Sequence, residues 1–201
     1  RNPMTRAYKP GVTFDDLLAL YTFDEELRNL AERNIAFVER KLKSTLSYAF
    51  CEKHGHDQAA YLRVENYKPE RKSRKGVERL LKVLDGLANI NTDYGYIVHH
   101  RKKYANVPLW VLVNAMTFGQ ASMMYSLLLP RDKAAIAKQF DHVNERELAM
   151  MMKYLVLYRN VCAHGERLFL HRAYSDIPNM PLHEKLGVAK AGQEYVQGKR
   201  D

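Results

Sequence analysis

In the stretch YRNVCAHGERLF, residues 158–169, Arg159 stands in an apolar run and His164 follows five residues later, with a glycine directly after it. A guanidinium keeps its charge at every physiological pH, so in an apolar setting it needs an anion. Arginine can hold a phosphate through two parallel hydrogen bonds. Histidine can move protons near neutral pH. With Asn160 between them, the pair suits phosphodiester cleavage without a metal. Taken singly, each residue has a plainer reading. A core arginine is more often paired with an acid elsewhere in the core. A histidine in a last helical turn interacts favourably with the helix dipole.

The spacing around the pair predicts its setting. On a helix of about 100° per residue, Leu148, Met152, Leu155, Val156, Cys162 and Ala163 fall within about 60° of Arg159. Arg159 is therefore expected to project from the middle of an apolar face. Lys153, Asn160 and His164 form a narrow polar stripe, with Met150 and Leu157 just beyond it. A helix apolar on two sides of a polar stripe is expected where two surfaces close over it, one of them a partner subunit.

The elements that must position these residues read as helical almost throughout. Thr13-Phe-Asp-Asp16 is a capping box opening a short helix to Tyr21. Thr22-Phe-Asp-Glu25 reads as a second box, opening a helix that runs to Gly55. About 30 residues of helix would span about 45 Å. Phe23, Leu27, Leu30, Asn34, Phe37, Lys41 and Thr45 mark one face, and Ile35, Val38, Leu42, Leu46 and Ala49 join it as the stripe drifts. Residues 56–76 read as a polar connection. Helices are expected from Val77 to about Ile90 and from about Asp93 to Tyr104. Pro108 and the box Thr117-Phe-Gly-Gln120 start two more helices that meet at a bend. A short helix over 131–140 follows, and Asn144-Glu-Arg-Glu147 caps the helix carrying Arg159. Beyond Leu168 the pattern weakens into loops, with room for a short hairpin.

Composition bounds the class. The chain has 201 residues and a net charge of +9, a surplus that suits an acidic partner such as nucleic acid. The densest basic run, between Arg63 and Lys82, includes Arg71, Lys72, Arg74 and Lys75, with Tyr67 inside it. It reads equally well as a solvated loop or as a phosphate-backbone contact zone. The two cysteines, Cys51 and Cys162, lie in apolar helical patterns, which favours reduced thiols and a cytoplasmic setting. No CxxC or HxxxH spacing supports a metal, and no cofactor is expected. HGH at 54–56 and HH at 99–100 read as surface features. The N-terminal RNPMTRAYKPG has no apolar core, so it is no signal peptide. Residues 104–130 carry no charge and could cross a bilayer by length. However, Asn106, Asn114, Gln120 and Pro108 favour two buried helices over a membrane partner. Nucleotide-binding and hydrolase motifs such as GxGxxG and GxSxG do not occur.

Arg159-Asn160-Val161-Cys162-Ala163-His164 resembles the R-N-x-x-x-H signature of HEPN-domain ribonucleases. LYTFDEELRNL (20–30), VPLWVLVNAMTFGQASMMYSLL (107–128), YRNVCAHGERLF (158–169) and IPNMPLHEKLGV (177–188) resemble, in order, the abortive-infection family that includes AbiD and AbiF. The resemblance implies an all-α HEPN-type bundle over residues 1–201. It would have an extended lead-in at 1–12 and a loop-rich tail at 169–201, with family segments continuing on both sides. It also implies RNA cleavage during phage infection or as a toxin, to 2′,3′-cyclic phosphate ends. Arg159, His164 and Asn160 would be catalytic, and Arg167, Lys153, Arg71, Lys72, Arg74 and Lys75 would bind RNA. Arg159 alone among the arginines has a histidine five residues on, so a composite site implies a homodimer. A non-catalytic protein bound to a small structured RNA is the alternative, and a protein antitoxin is a further conceivable partner. A third reading is an interaction protein in which Arg159 only makes a buried ion pair.

Overall fold

A computed structural model describes residues 8–199 of the chain. It is all-α apart from one two-stranded hairpin. The first helix, α1, spans Phe14–His54 without a break. Its start is as expected: the Thr13 hydroxyl accepts the N–H of Asp16, and the Asp16 carboxylate accepts the N–H of Thr13 at 2.8 Å. The Thr13 N–H and then the Thr13 hydroxyl, both donating to that carboxylate, hold the Asp16 carboxyl below its usual range. The expected second start at Thr22 does not exist. No glycine or proline lies between Phe14 and Thr22 to end the first helix, so the box-like residues lie inside a continuous one. Gly55, at φ +91°, ends α1 where expected.

After α1 come α2 (Gln58–Leu62), a 3₁₀ turn (Val64–Asn66) and α3 (Arg71–Asp85), which runs into a π turn (Gly86–Ile90). The connection expected over 56–76 is thus largely helical, and α3 begins six residues early. The buried face Val77, Leu80 and Leu84 and the Arg74–Glu78 ion pair carry the helix back through the basic run. Tyr67, in this region, is buried and donates its hydroxyl to Tyr61 O at 2.7 Å. It is therefore no stacking platform.

Next are α4 (Gly95–Tyr104), α5 (Leu109–Leu112), α6 (Phe118–Leu127) and α7 (Pro130–Ala137). The Thr117–Gln120 box caps α6 as expected. The helix after Pro108 is a single turn, and turns complete the bend to α6. Among the described residues, no helix is long and apolar enough to cross a membrane. α8 (Glu145–Ala163) is capped by Asn144, which accepts the N–H groups of Arg146 and Glu147. The tail holds a 3₁₀ turn (Leu168–Leu170), the one-turn helix α9 (Pro181–Lys185), and the hairpin of β1 (Lys190–Ala191) with β2 (Glu194–Tyr195). The expected lead-in is described only from Tyr8, with a turn at Pro10 and Gly11; the rest of it lies outside the described residues.

The core gathers Leu42, Leu46 and Phe50 of α1 with Leu80, Ile97, Leu112, Met124, Leu148 and Met152. His54 is not the surface residue expected. Its side chain is buried against Asp132, Nε2 to Oδ2 at 3.0 Å, and Lys53 pairs with the same carboxylate. This joint fastens the end of α1 to α7.

Candidate functional site

Helix α8 runs across α1 and α6, and its buried face changes along its length. In its first half Leu148 and Met152 enter the core. In its second half Tyr154, Val161 and Cys162 are buried instead. A helical wheel averages over the whole helix and misses this change. Arg159 lies on the side that faces the core at Leu148, but by its own turn that side is open. Arg159 is therefore exposed, and the expected burial in an apolar face is not found. Among the described residues Arg159 makes no ion pair and no side-chain hydrogen bond. The buried-ion-pair reading fails with it.

Lys153, Asn160 and His164 are exposed as expected. Asn160 and His164, one turn apart, share a face, and Arg159 points about 100° round the helix from Asn160 and about 140° from His164. Val156 packs on Gly119 of α6, 3.7 Å from where a β-carbon would stand there. The motif thus begins one turn beyond the start of α6.

The end of α8 is fixed by its own backbone. His164 is the cap residue, and Gly165 at φ +66° turns the chain left-handed. Gly165 N–H donates to Cys162 O and Glu166 N–H to Val161 O, both at 3.1 Å. This is the paired bonding of a Schellman stop, and it sets His164 as the last side chain on the helix.

Asp24 holds the loop that follows. Only 2% exposed, it pairs with Arg28 through one oxygen and accepts the Phe169 N–H through the other at 3.0 Å. Arg28 also approaches Glu166 O at 3.5 Å. Sequence reasoning missed this residue. The only signal was an acid placed two positions past an apparent cap, and nothing local reveals a partner 145 residues away. Beside this joint, burial and then Glu32 push the Cys162 thiol up, while Arg28 opposes them, so Cys162 is an inert core thiol.

Arg167 is exposed in the loop held by Asp24. Arg71, Lys72, Arg74 and Lys75 are exposed on the first turns of α3. Lys68, just before them, lies beside Lys133, whose ammonium is held below its usual range by burial and then by Lys68. Lys133 also lies near Glu145 and Arg146, at the start of α8. A helix of 19 residues, about 28 Å, separates that end from the motif. Arg159, Asn160 and His164 are thus exposed at the last turns of α8, with Lys153 about two turns before Asn160 and Arg167 in the loop that follows, while the α3 cations lie on another helix. On another side of α8, an apolar cavity of about 280 Å³ lies between Tyr154, Leu155 and Tyr158 and the tail residues Ile177 and Met180. Among the described residues no cluster of His, Cys, Asp and Glu could hold a metal ion.

The sequence model of the Abi-like protein family matches residues 1–170, and the chain belongs to that family. Three of the four resembling blocks fall inside the match, and the block at 177–188 lies beyond it. Membership suggests abortive-infection phage defence. No curated protein and no solved structure matches.

Proposed function

We propose that this chain is an endoribonuclease of HEPN type that acts as a toxin in abortive infection. The reading rests on one observation above all. Arg159, Asn160 and His164 are all exposed at the fixed end of one helix, and their side chains have no partner among the described residues. Arg159 would grip a phosphate with two hydrogen bonds and stabilise charge in the transition state. His164 would act as base toward the 2′-hydroxyl, or as acid toward the leaving 5′-oxygen. Asn160 would orient His164 or bond a phosphate oxygen. The 2′-oxygen forms a bond to phosphorus as the bond to the 5′-oxygen breaks, giving a 2′,3′-cyclic phosphate and a 5′-hydroxyl. Lys153 and Arg167 would hold the backbone beside the scissile bond, and Arg71, Lys72, Arg74 and Lys75 would hold it further along. A composite site would be completed by a second copy of the chain.

A non-catalytic RNA-binding protein, held by a small structured RNA, is the second reading. The exposed cations of α3 favour it equally, since backbone binding needs only charge. End analysis of a labelled RNA separates the two. The ribonuclease leaves cyclic phosphate ends in the presence of EDTA and spares DNA, because its nucleophile is the substrate's own 2′-hydroxyl. Intact RNA at full occupancy would favour the binding protein.

A further inference from the structure

Helix α1 has two apolar stripes, and among the described residues the fold covers one of them. Ile35, Leu42 and Leu46 are buried in the core. The other stripe steps alternately three and four residues through Leu20, Phe23, Leu27, Leu30, Asn34, Phe37 and Lys41. On it Phe23 is 57% exposed, Leu30 51% and Phe37 67%. This spacing is that of a coiled-coil seam. The side of α1 that carries Asp24 and Arg28 holds the loop after the motif, so the seam is separate from the proposed active site.

We propose that a second copy of this chain pairs with it antiparallel along this seam. The charges select both the partner and the direction. Exposed acids occupy the first part of the seam and its flank, at Asp16 and Glu26, and exposed bases occupy the last part, at Arg33, Arg40 and Lys41. A parallel pair would set acid against acid at one end and base against base at the other. An antiparallel pair with Leu27 opposite the partner copy's Leu30 sets Glu26 near Arg33 and Asp16 opposite Lys41, twice each by symmetry. In the same register Leu20 faces Phe37, and Phe23 faces Asn34. A polar asparagine in such a seam fixes register at some cost in stability. The pairing goes beyond the ribonuclease reading and does not depend on it.

Cysteine cross-linking of the full chain tests the register. Cys51 and Cys162 are buried and do not compete. Phe23 and Asn34 are 11 residues apart, so in the antiparallel pair two copies of either one stand about 16 Å apart along the axis. A disulfide needs α-carbons within roughly 7 Å. Under mild oxidation, Phe23→Cys alone and Asn34→Cys alone are expected to stay unlinked, and a mixture of the two to form a linked dimer. Leu30→Glu, at an exposed position, is expected to halve the mass in solution while the circular dichroism of the folded chain stays the same. A wild-type monomer at micromolar concentration overturns the proposal. So does self-linking of either single variant, an unlinked mixture, or a Leu30→Glu chain of unchanged mass.

Discussion

The buried carboxylate of Asp24 accepts the backbone N–H of Phe169 at 3.0 Å, tying the first helix to the loop that leaves the Arg159–His164 turn. Its other oxygen holds Arg28. One side chain therefore fixes where the motif helix ends relative to α1. Removing it leaves a largely buried guanidinium unpaired and an N–H unsatisfied. Asp24→Ala is expected to cost about 3 kcal/mol in urea unfolding. Hydrogen exchange at Phe169 should rise with it. A loss below 1 kcal/mol would show that the joint is dispensable.

Gly165 makes the same end of α8 from the backbone side. A β-carbon there would meet nothing within 4 Å, so the cost of a side chain is conformational alone. Gly165→Ala, held at φ +66°, is expected to lose about 1 kcal/mol. Thermal unfolding of the two proteins measures it.

Alkaline pH should unfold the chain through its tyrosines. Burial pushes the hydroxyls of Tyr61, Tyr67 and Tyr125 well above the usual tyrosine range. Their protons stay bound in the folded state after the unfolded chain has released its own. The stability they contribute is thus full below about pH 10, the unfolded value, and falls as pH rises above it. Denaturant midpoints should fall between pH 8 and 10, where the unfolded thiols of Cys51 and Cys162 also ionise, and more steeply between pH 10 and 11. Tyr61→Phe loses the hydroxyl's bond to Val107 O, 2.7 Å in the native fold, and should flatten part of that drop.

How much of this was legible follows from the range of each signal. The caps at Thr13, Thr117 and Asn144 and the stop at Gly55 are local, and all four are where their residues put them. Thr22 shows the limit of a local motif, which marks a start only when the preceding chain is not already helical. The early start of α3 was hidden because a cationic first turn opposes the helix dipole, while its apolar face lies further on. Arg159, Asn160 and His164 were legible as a spacing, but the exposure of Arg159 was not. That depends on how α8 crosses its neighbours, which no wheel encodes. The Asp24 joint is a contact between distant segments and leaves no trace in either one. The α1 seam was read as a single drifting face, and only packing separates its buried stripe from its open one.

The central claim is that His164 and Arg159 cut RNA. The direct measurement is cleavage of a labelled RNA by wild type, His164→Ala and Arg159→Ala, with melting temperature and RNA affinity recorded for each. Both positions are exposed, so both variants should melt within about 0.5 kcal/mol of wild type. Cleavage by His164→Ala should fall by about 10² to 10⁴ while binding is nearly unchanged. Arg159→Ala should also lose cleavage. A folded His164→Ala protein that cuts at the wild-type rate would contradict the account.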